Sequence, residues 1–272
     1  MTDRTFETPQ STELYVVIGA GSVQVDAAET DTTEVRVEGQ HAEQTRIEHD
    51  GRTVSVIGPR IGPFAGDRQL HVAVTLPLGS RVVTKLGSAD LTVSGEIGAA
   101  DLKSGSGDIS IETLVGASTL ATGSGDISID RAEGHLKLQS GSGEIRLGAA
   151  FAETSISTGS GDVSITEARS TTVVKTGSGD LHVERAGTDT SFKTGSGDLR
   201  VGEVGGGRVV TKGASGEVQI GVRAGIPVWT DVHTVSGHIR STLQGAGEPG
   251  PGQHHVELRT TTVSGDITFT EV

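Results

Sequence analysis

Seven acidic residues, Asp90, Asp108, Asp126, Glu144, Asp162, Asp180 and Asp198, stand 18 residues apart along the chain. From Asp108 onward each closes a Gly-Ser-Gly-acid turn: Gly105 and Gly107 before Asp108, Gly123 and Gly125 before Asp126, Gly141 and Gly143 before Glu144. The series continues with Gly159 and Gly161 before Asp162, Gly177 and Gly179 before Asp180, and Gly195 and Gly197 before Asp198. Glycine-rich turns ending in a carboxylate suggest two chemistries. One is calcium, with Asp108, Asp126, Glu144, Asp162, Asp180 and Asp198 as ligands, because Gly-x-Gly-x-Asp occurs in the calcium-binding nonapeptide repeats of parallel β-rolls. Those rolls need the motif in every nonapeptide on both sides, whereas this chain carries one copy per 18 residues. The other is phosphate, but a phosphate loop is a single loop feeding a helix, and the acid here would repel the ligand. A fixed period over seven copies is the mark of one structural unit repeated. The motif therefore reads as a structural corner, with no metal and no cofactor.

The flanking residues define the corner's supports. Counting the acid as repeat position 1, position 2 is Leu91, Ile109, Ile127, Ile145, Val163, Leu181 and Leu199, and position 4 is Val93, Ile111, Ile129, Leu147, Ile165, Val183 and Val201. Between them stand Thr92, Ser110, Ser128, Arg146, Ser164, His182 and Arg200, so one face of a short strand is buried and the other is wet. A second strand centres on Leu102, Leu120, Leu138, Ile156, Val174 and Phe192 at position 13, followed by Lys103, Ala121, Gln139, Ser157, Lys175 and Lys193. Position 7 is mostly alanine, with Leu114 larger and Glu96 breaking the pattern in the first unit. An antiparallel meander would leave the apolar face of its sheet uncovered. A single-stranded parallel β-helix, or β-solenoid, closes that stripe inside by stacking each coil on the one before. In it the glycines serve positive φ or close approach of coils. The stacked acids, about 5 Å apart, would repel by roughly 1 kcal/mol per pair in water, and hydrogen bonds from turn amides and Ser hydroxyls are expected to offset this.

Outside the regular repeats, 81–216, strand patterns persist with irregular spacing. Residues 1–13 read as a flexible arm, 14–80 as an irregular N-terminal cap, and 217–272 as irregular C-terminal coils, all within one continuous domain. Gly19-Ala20-Gly21 resembles a degenerate motif with Ser22 in the acidic place. After Asp198 the acid column continues at Glu217, His238 and Asp266, spaced 19, 21 and 28 residues, so His238 is expected between two carboxylates. Loops rich in Pro and Gly occupy 58–66 and 245–252.

Composition bounds the function. Net charge is −13, from 35 acidic and 22 basic residues, which disfavours a nucleic-acid partner. There is no cysteine, hence no disulfide or thiolate chemistry. The start, Met1-Thr2-Asp3-Arg4, lacks the pattern of a signal peptide, and no stretch approaches the roughly 20 apolar residues of a membrane span, so a cytoplasmic location is expected, with the cell surface as the alternative. Catalysis has little support, because Ser and Asp repeated at every corner are architecture. Five Phe, one Trp and one Tyr leave no aromatic platform for a sugar, and a small-molecule ligand is disfavoured. Residues that could touch a protein partner, or a second copy, are those in irregular inserts: Phe64, Trp229, His233 and His238.

The patterns Gly-Ser-Gly-Asp-Ile-Ser-Ile, Thr-Gly-Ser-Gly-Asp-Val and Leu-Pro-Leu-Gly-Ser (Leu76 to Ser80) resemble the bacterial putative-adhesin family of β-strand-repeat domains, a family of unknown function. The resemblance runs from about Leu14 to the end. It implies a single-stranded parallel β-helix, no catalytic residues and, by name, surface adhesion. The function expected is a non-catalytic binding or self-assembling module, with an exported adhesin as the alternative.

Overall fold

The computed structural model describes residues 1–59, 69–244 and 255–272. Phe64 and the loop 245–252 lie outside them, as does most of the loop 58–66. The described chain is all-β apart from one short 3-10 turn, Ala42–Gln44, and forms a β-solenoid. Among the described residues no helix is long and apolar enough to cross a membrane. Two compact units, Met1–Ser140 and Gly141–Val272, are described in turn.

In the first unit one sheet runs Thr2–Glu7, Thr32–Glu38, Gln69–Pro77, Ala20–Ala28, Asp90–Ile97, Ile109–Leu114, Ile127–Ala132. The other runs Arg46–Asp50, Thr53–Ile57, Glu13–Ile18, Arg81–Leu86, Ala100–Ser104, Ser118–Thr122, Leu136–Ser140. From Arg81 on, strands pair in parallel with their counterparts one coil later, Ile109 opposite Ile127 and Leu102 opposite Leu120. The side chains at positions 2, 4 and 13, Ile109, Ile111 and Leu120 among them, are buried as the alternation requires. Ser22 stands opposite Asp90, so the degenerate first motif does share the acid column.

Three local readings change. Residues 1–13, expected as an arm, contain the strand Thr2–Glu7, paired antiparallel with Thr32–Glu38. Glu96 does not break the position-7 pattern. A bulge at Gly95, with φ of +76°, shifts the register by one, so that Ile97 lies opposite Leu114 and is fully buried in its place. The irregular region is also not stacked in chain order, since the first coil, Glu13–Ile18 and Ala20–Ala28, sits against the Arg81–Ile97 coil. The strands Thr32–Glu38, Arg46–Asp50, Thr53–Ile57 and Gln69–Pro77 lie outside it, and there Thr2–Glu7 and Arg46–Asp50 end the two sheets with antiparallel pairs.

The second unit repeats the regular coil: Ile145–Ala150, Val163–Ala168, Leu181–Ala186, Leu199–Val204 and Val218–Val222 in one sheet, and Thr154–Thr158, Thr172–Thr176, Thr190–Thr194 and Gly207–Lys212 in the other. Its end is threaded out of order. Val256–Ser264 pairs with Gly207–Lys212 on one side and Val228–Ser236 on the other. Likewise Ile267–Glu271 lies between Val218–Val222 and Ile239–Ser241. The last coil in sequence is thus the penultimate coil in space. Side-chain chemistry explains the inversion. The inward row of the late coil is Val256, Leu258, Ile267 and Phe269, all at most 1% exposed, whereas the matching positions of the Val228–Ser241 coil are Val228, Thr230, Ile239 and Ser241. The more apolar row goes inside, and the row with two hydroxyls closes the stack.

Candidate functional site

Three kinds of hydrogen bond recur at the acid and the second glycine of the repeated corner. A backbone amide of the acidic residue donates to the carboxylate one coil earlier: Asp108 to Asp90 at 3.0 Å and Asp126 to Asp108 at 2.8 Å in the first unit. In the second unit Asp180 donates to Asp162, Asp198 to Asp180 and Glu217 to Asp198, at 2.7–2.8 Å. The residue after the acid donates to the next coil's acid carbonyl, as Leu181 N does to Asp198 O at 2.9 Å. The amide of the second glycine is taken by the hydroxyl just before the motif: Gly107 by Ser104, Gly125 by Thr122, Gly161 by Thr158, Gly179 by Thr176 and Gly197 by Thr194, at 3.0–3.1 Å. The carboxylates therefore are bonded by amides, as expected, but the hydroxyl expected from the motif serine comes from the Ser or Thr preceding it and serves the glycine. The recurring Thr of Thr-Gly-Ser-Gly-Asp is the signal in the sequence that points to it.

The glycines answer the choice between positive φ and close approach. None in the regular turns has positive φ, and a Cβ at Gly107, Gly125, Gly161, Gly179 or Gly197 would fall 1.9–2.1 Å from the backbone oxygen of the coil below. In the irregular corners Gly216, Gly237 and Gly265 combine both demands, with φ of +130°, +152° and +132°.

The sequence-derived contact residues converge on the outermost coil of the second unit, apart from Phe64. Trp229 is half-buried, and the Arg259 guanidinium lies 5.2 Å from its ring centroid. His233 is exposed and 3.0 Å from Asp231. His238 does not lie between two carboxylates. Because of the inverted threading it ends the column beyond Asp266, its amide donating to Asp266 Oδ1 at 2.9 Å and its ring nitrogen 3.4 Å from the same oxygen. With the amide bond first and the His238 ring and Arg240 adding to it, Asp266 is held below the usual carboxylate value despite some desolvation.

One cluster escapes sequence reasoning. Glu257, whose side chain is 11% exposed, accepts from Arg208 Nε and Arg259 Nε at 2.5 Å each. These residues are 49 and 2 positions apart, and only the inverted threading puts Arg208 opposite Glu257. Burial pushes the Glu257 carboxyl up, but the two guanidinium bonds outweigh it and hold the group below the usual carboxylate range. A depressed acid contributes stability that is full above its unfolded value and is lost as pH falls through the folded one. Glu257→Gln is accordingly expected to melt at lower temperature than the parent at pH 7, with the gap closing below about pH 4. Melting curves across that range check this, and a gap independent of pH would contradict it.

Among the described residues no group of three or more His, Asp and Glu side chains is arranged to hold a metal ion. The corner and the clamp are hydrogen-bonding and packing devices on a solenoid, a class of fold that presents surfaces. The chain belongs to the Toastrack DUF4097 family, whose model matches residues 12–270. No curated protein sequence matches it significantly. Among solved structures it is similar to a "putative adhesin" from Bacteroides fragilis, at 12% identity over 98% of this chain and 96% of that one, with a TM-score of 0.44. A "putative adhesin" from Parabacteroides merdae matches at 14% identity over 80% of this chain and 95% of that one, TM-score 0.42. A "putative lipid binding protein" from Parabacteroides distasonis matches at 15% identity over 100% and 96%, TM-score 0.38.

Proposed function

We propose that the chain is a non-catalytic binding module whose outermost coil, Val228 to Ser241, docks an extended segment of a protein partner. The observation that carries the reading is the edge of Val228–Ser236. This nine-residue strand ends its sheet, and no described strand pairs with its outer side. Edge strands are commonly protected by Lys, Pro or dense charge. The end strands of the first unit, TDRTFE and RIEHD, follow that rule. VWTDVHTVS has one acid and neither Lys nor Pro; Val235 within it is 83% exposed, and Ile239 just after it 49%. Such an edge offers backbone groups for strand addition and apolar side chains for contact. The non-catalytic part is supported by the repeated carboxylates, which already bond the backbone of the neighbouring coil.

Affinity capture from the native host, comparing the parent with the double variant Val235→Lys/Ile239→Lys, tests the reading. Both sites are solvent-exposed, so the fold should persist with little change in melting temperature. The parent should retain a specific protein that the variant loses. Equal capture by both would sink the assignment to this coil.

A further inference from the structure

Lys175, Lys193 and Lys212 form a column on the outer face of the second unit, each opposite the next in parallel register. All three are exposed. Stacked ammonium groups at the inter-coil spacing of about 4.8 Å repel one another, so a neighbouring acid would be the ordinary arrangement. Most arginines of this unit obey that: Arg146, Arg169, Arg185, Arg208, Arg223, Arg240 and Arg259 all lie within ion-pair distance of Glu or Asp. In the first unit Lys103 is 3.6 Å from Asp101, and Lys85 lies over the Tyr15 ring. Around the three lysines, positions two residues away hold Val173, Ser191 and Val210 on one side and Gly177, Gly195 and Ala214 on the other. None of the three has an ion-pair partner among the described residues.

A second column without ion pairs runs on the far side of the same corner. Asp180, Asp198 and Glu217 are exposed and stand one per coil, at the levels of Lys175, Lys193 and Lys212. They too form no ion pair with a described residue. Between the columns lie only short residues, Thr176 to Gly179, Thr194 to Gly197 and Gly213 to Gly216. The corner is thus a low ridge with a positive row on one flank and a negative row on the other.

We infer that this ridge is a self-association surface whose partner is a second copy of the chain, related by a two-fold axis parallel to the stacking direction. That rotation turns the ridge to face itself and exchanges its flanks. The lysine row of one copy then meets the acidic row of the other on both sides of the axis, as an isologous contact requires. Register matches without adjustment, because both rows rise by one coil per residue in both copies. Lys175 faces Asp180 of the second copy, Lys193 faces its Asp198 and Lys212 its Glu217, twice over. The small ridge residues let the two backbones come close enough for these pairs to form. Each exposed pair contributes little alone, so the association is weak, salt-sensitive and specific in register. This surface is separate from the outermost coil and does not depend on the reading given for it.

The test uses the full chain in sedimentation velocity at low and high salt. A monomer–dimer equilibrium is expected at low ionic strength, shifting to monomer at high salt, where screening is nearly complete. Lys212→Glu and Glu217→Lys each reverse one level of the contact while leaving the acid-to-amide bonds between coils intact, because the Glu217 carboxylate accepts none of them. Each variant alone should dimerise about tenfold or more weakly, since the reversed level becomes repulsive on both sides of the symmetric dimer. Mixing the two should restore a heterodimer. In it the glutamate introduced at position 212 of one chain faces the lysine introduced at position 217 of the other, and the unaltered Lys212 faces the unaltered Glu217. Val235→Lys/Ile239→Lys should leave the dimer unchanged, which separates this surface from the proposed partner edge. A strict monomer at every salt concentration, a dimer indifferent to both reversals, or failure of the mixture to recover would each overturn the inference.

Discussion

Gly179→Ala is expected to destabilise the chain by about 3 kcal/mol or more, or to prevent folding, although alanine is only one methyl group larger. The methyl would be placed 2.0 Å from the Gly161 oxygen and 2.6 Å from its carbonyl carbon, both backbone atoms of the coil below. No rotamer change relieves a clash with backbone. Relief would require the coils to separate at the corner, and that would stretch the amide bonds Gly177 donates to Gly159 at 3.0 Å and Asp180 donates to Asp162 at 2.8 Å. Backbone conformation is not the cause, because Gly179 is not among the positive-φ glycines. Gly205→Ala is the control: the nearest atoms to its Cβ belong to the flexible Arg223 guanidinium, 3.9–4.0 Å away. It should lie within about 0.5 kcal/mol of the parent. Chemical denaturation of the two variants makes the comparison, and equal midpoints would mean that coil spacing does not dictate the glycine.

Phe269→Ala should cost about 3–5 kcal/mol, as for other buried phenylalanines, even though Phe269 lies close to the end of the sequence. Terminal segments usually tolerate change because little packs on them. Here Phe269 is 1% exposed, in a strand paired on both sides with Val218–Val222 and Ile239–Ser241. Its removal leaves a void in the penultimate coil and weakens the coil beyond it. Chain order alone predicts the reverse, with the last strand outermost and Ile239 covered. A melt separates the two cases: Ile239→Ala, at a site 49% exposed, should shift the midpoint far less than Phe269→Ala. If Ile239→Ala proved the costlier of the two, the inverted threading would be wrong.

Much of the regular coil is legible before folding. Ile109, Ile111 and Leu120 are buried, and Ser110 between the first two is exposed, because a strand can bury only alternate residues and the repeat places the apolar ones there. The two strands per coil and their parallel pairing follow from the same stripe, which no single coil can cover. The acid column is also readable, down to Ser22 opposite Asp90. Glu96 misleads because a one-residue bulge at Gly95 is invisible to a fixed period, though the glycine itself is the clue. Thr158, Thr176 and Thr194 recur just before the motif, but their role as corner acceptors is masked because a threonine at the end of a strand also reads as ordinary β propensity.

The candidate contact surfaces divide in the same way. Trp229, His233 and His238 stand out for breaking the repeat, and all three lie on the outermost coil. The Glu257 clamp and the position of His238 beyond Asp266 are out of reach, since both depend on which coil stacks on which. The sequence by itself determined the coil: its length, its two strands, its inward stripe and its glycine corners, all consequences of short-range alternation repeated at a constant interval. Only the tertiary structure decided the order of the coils at the irregular ends, and with it which charges become neighbours. Stacking order is a competition between whole inward rows to be covered, and Val256, Leu258, Ile267 and Phe269 outcompete Val228, Thr230, Ile239 and Ser241 regardless of their place in the chain.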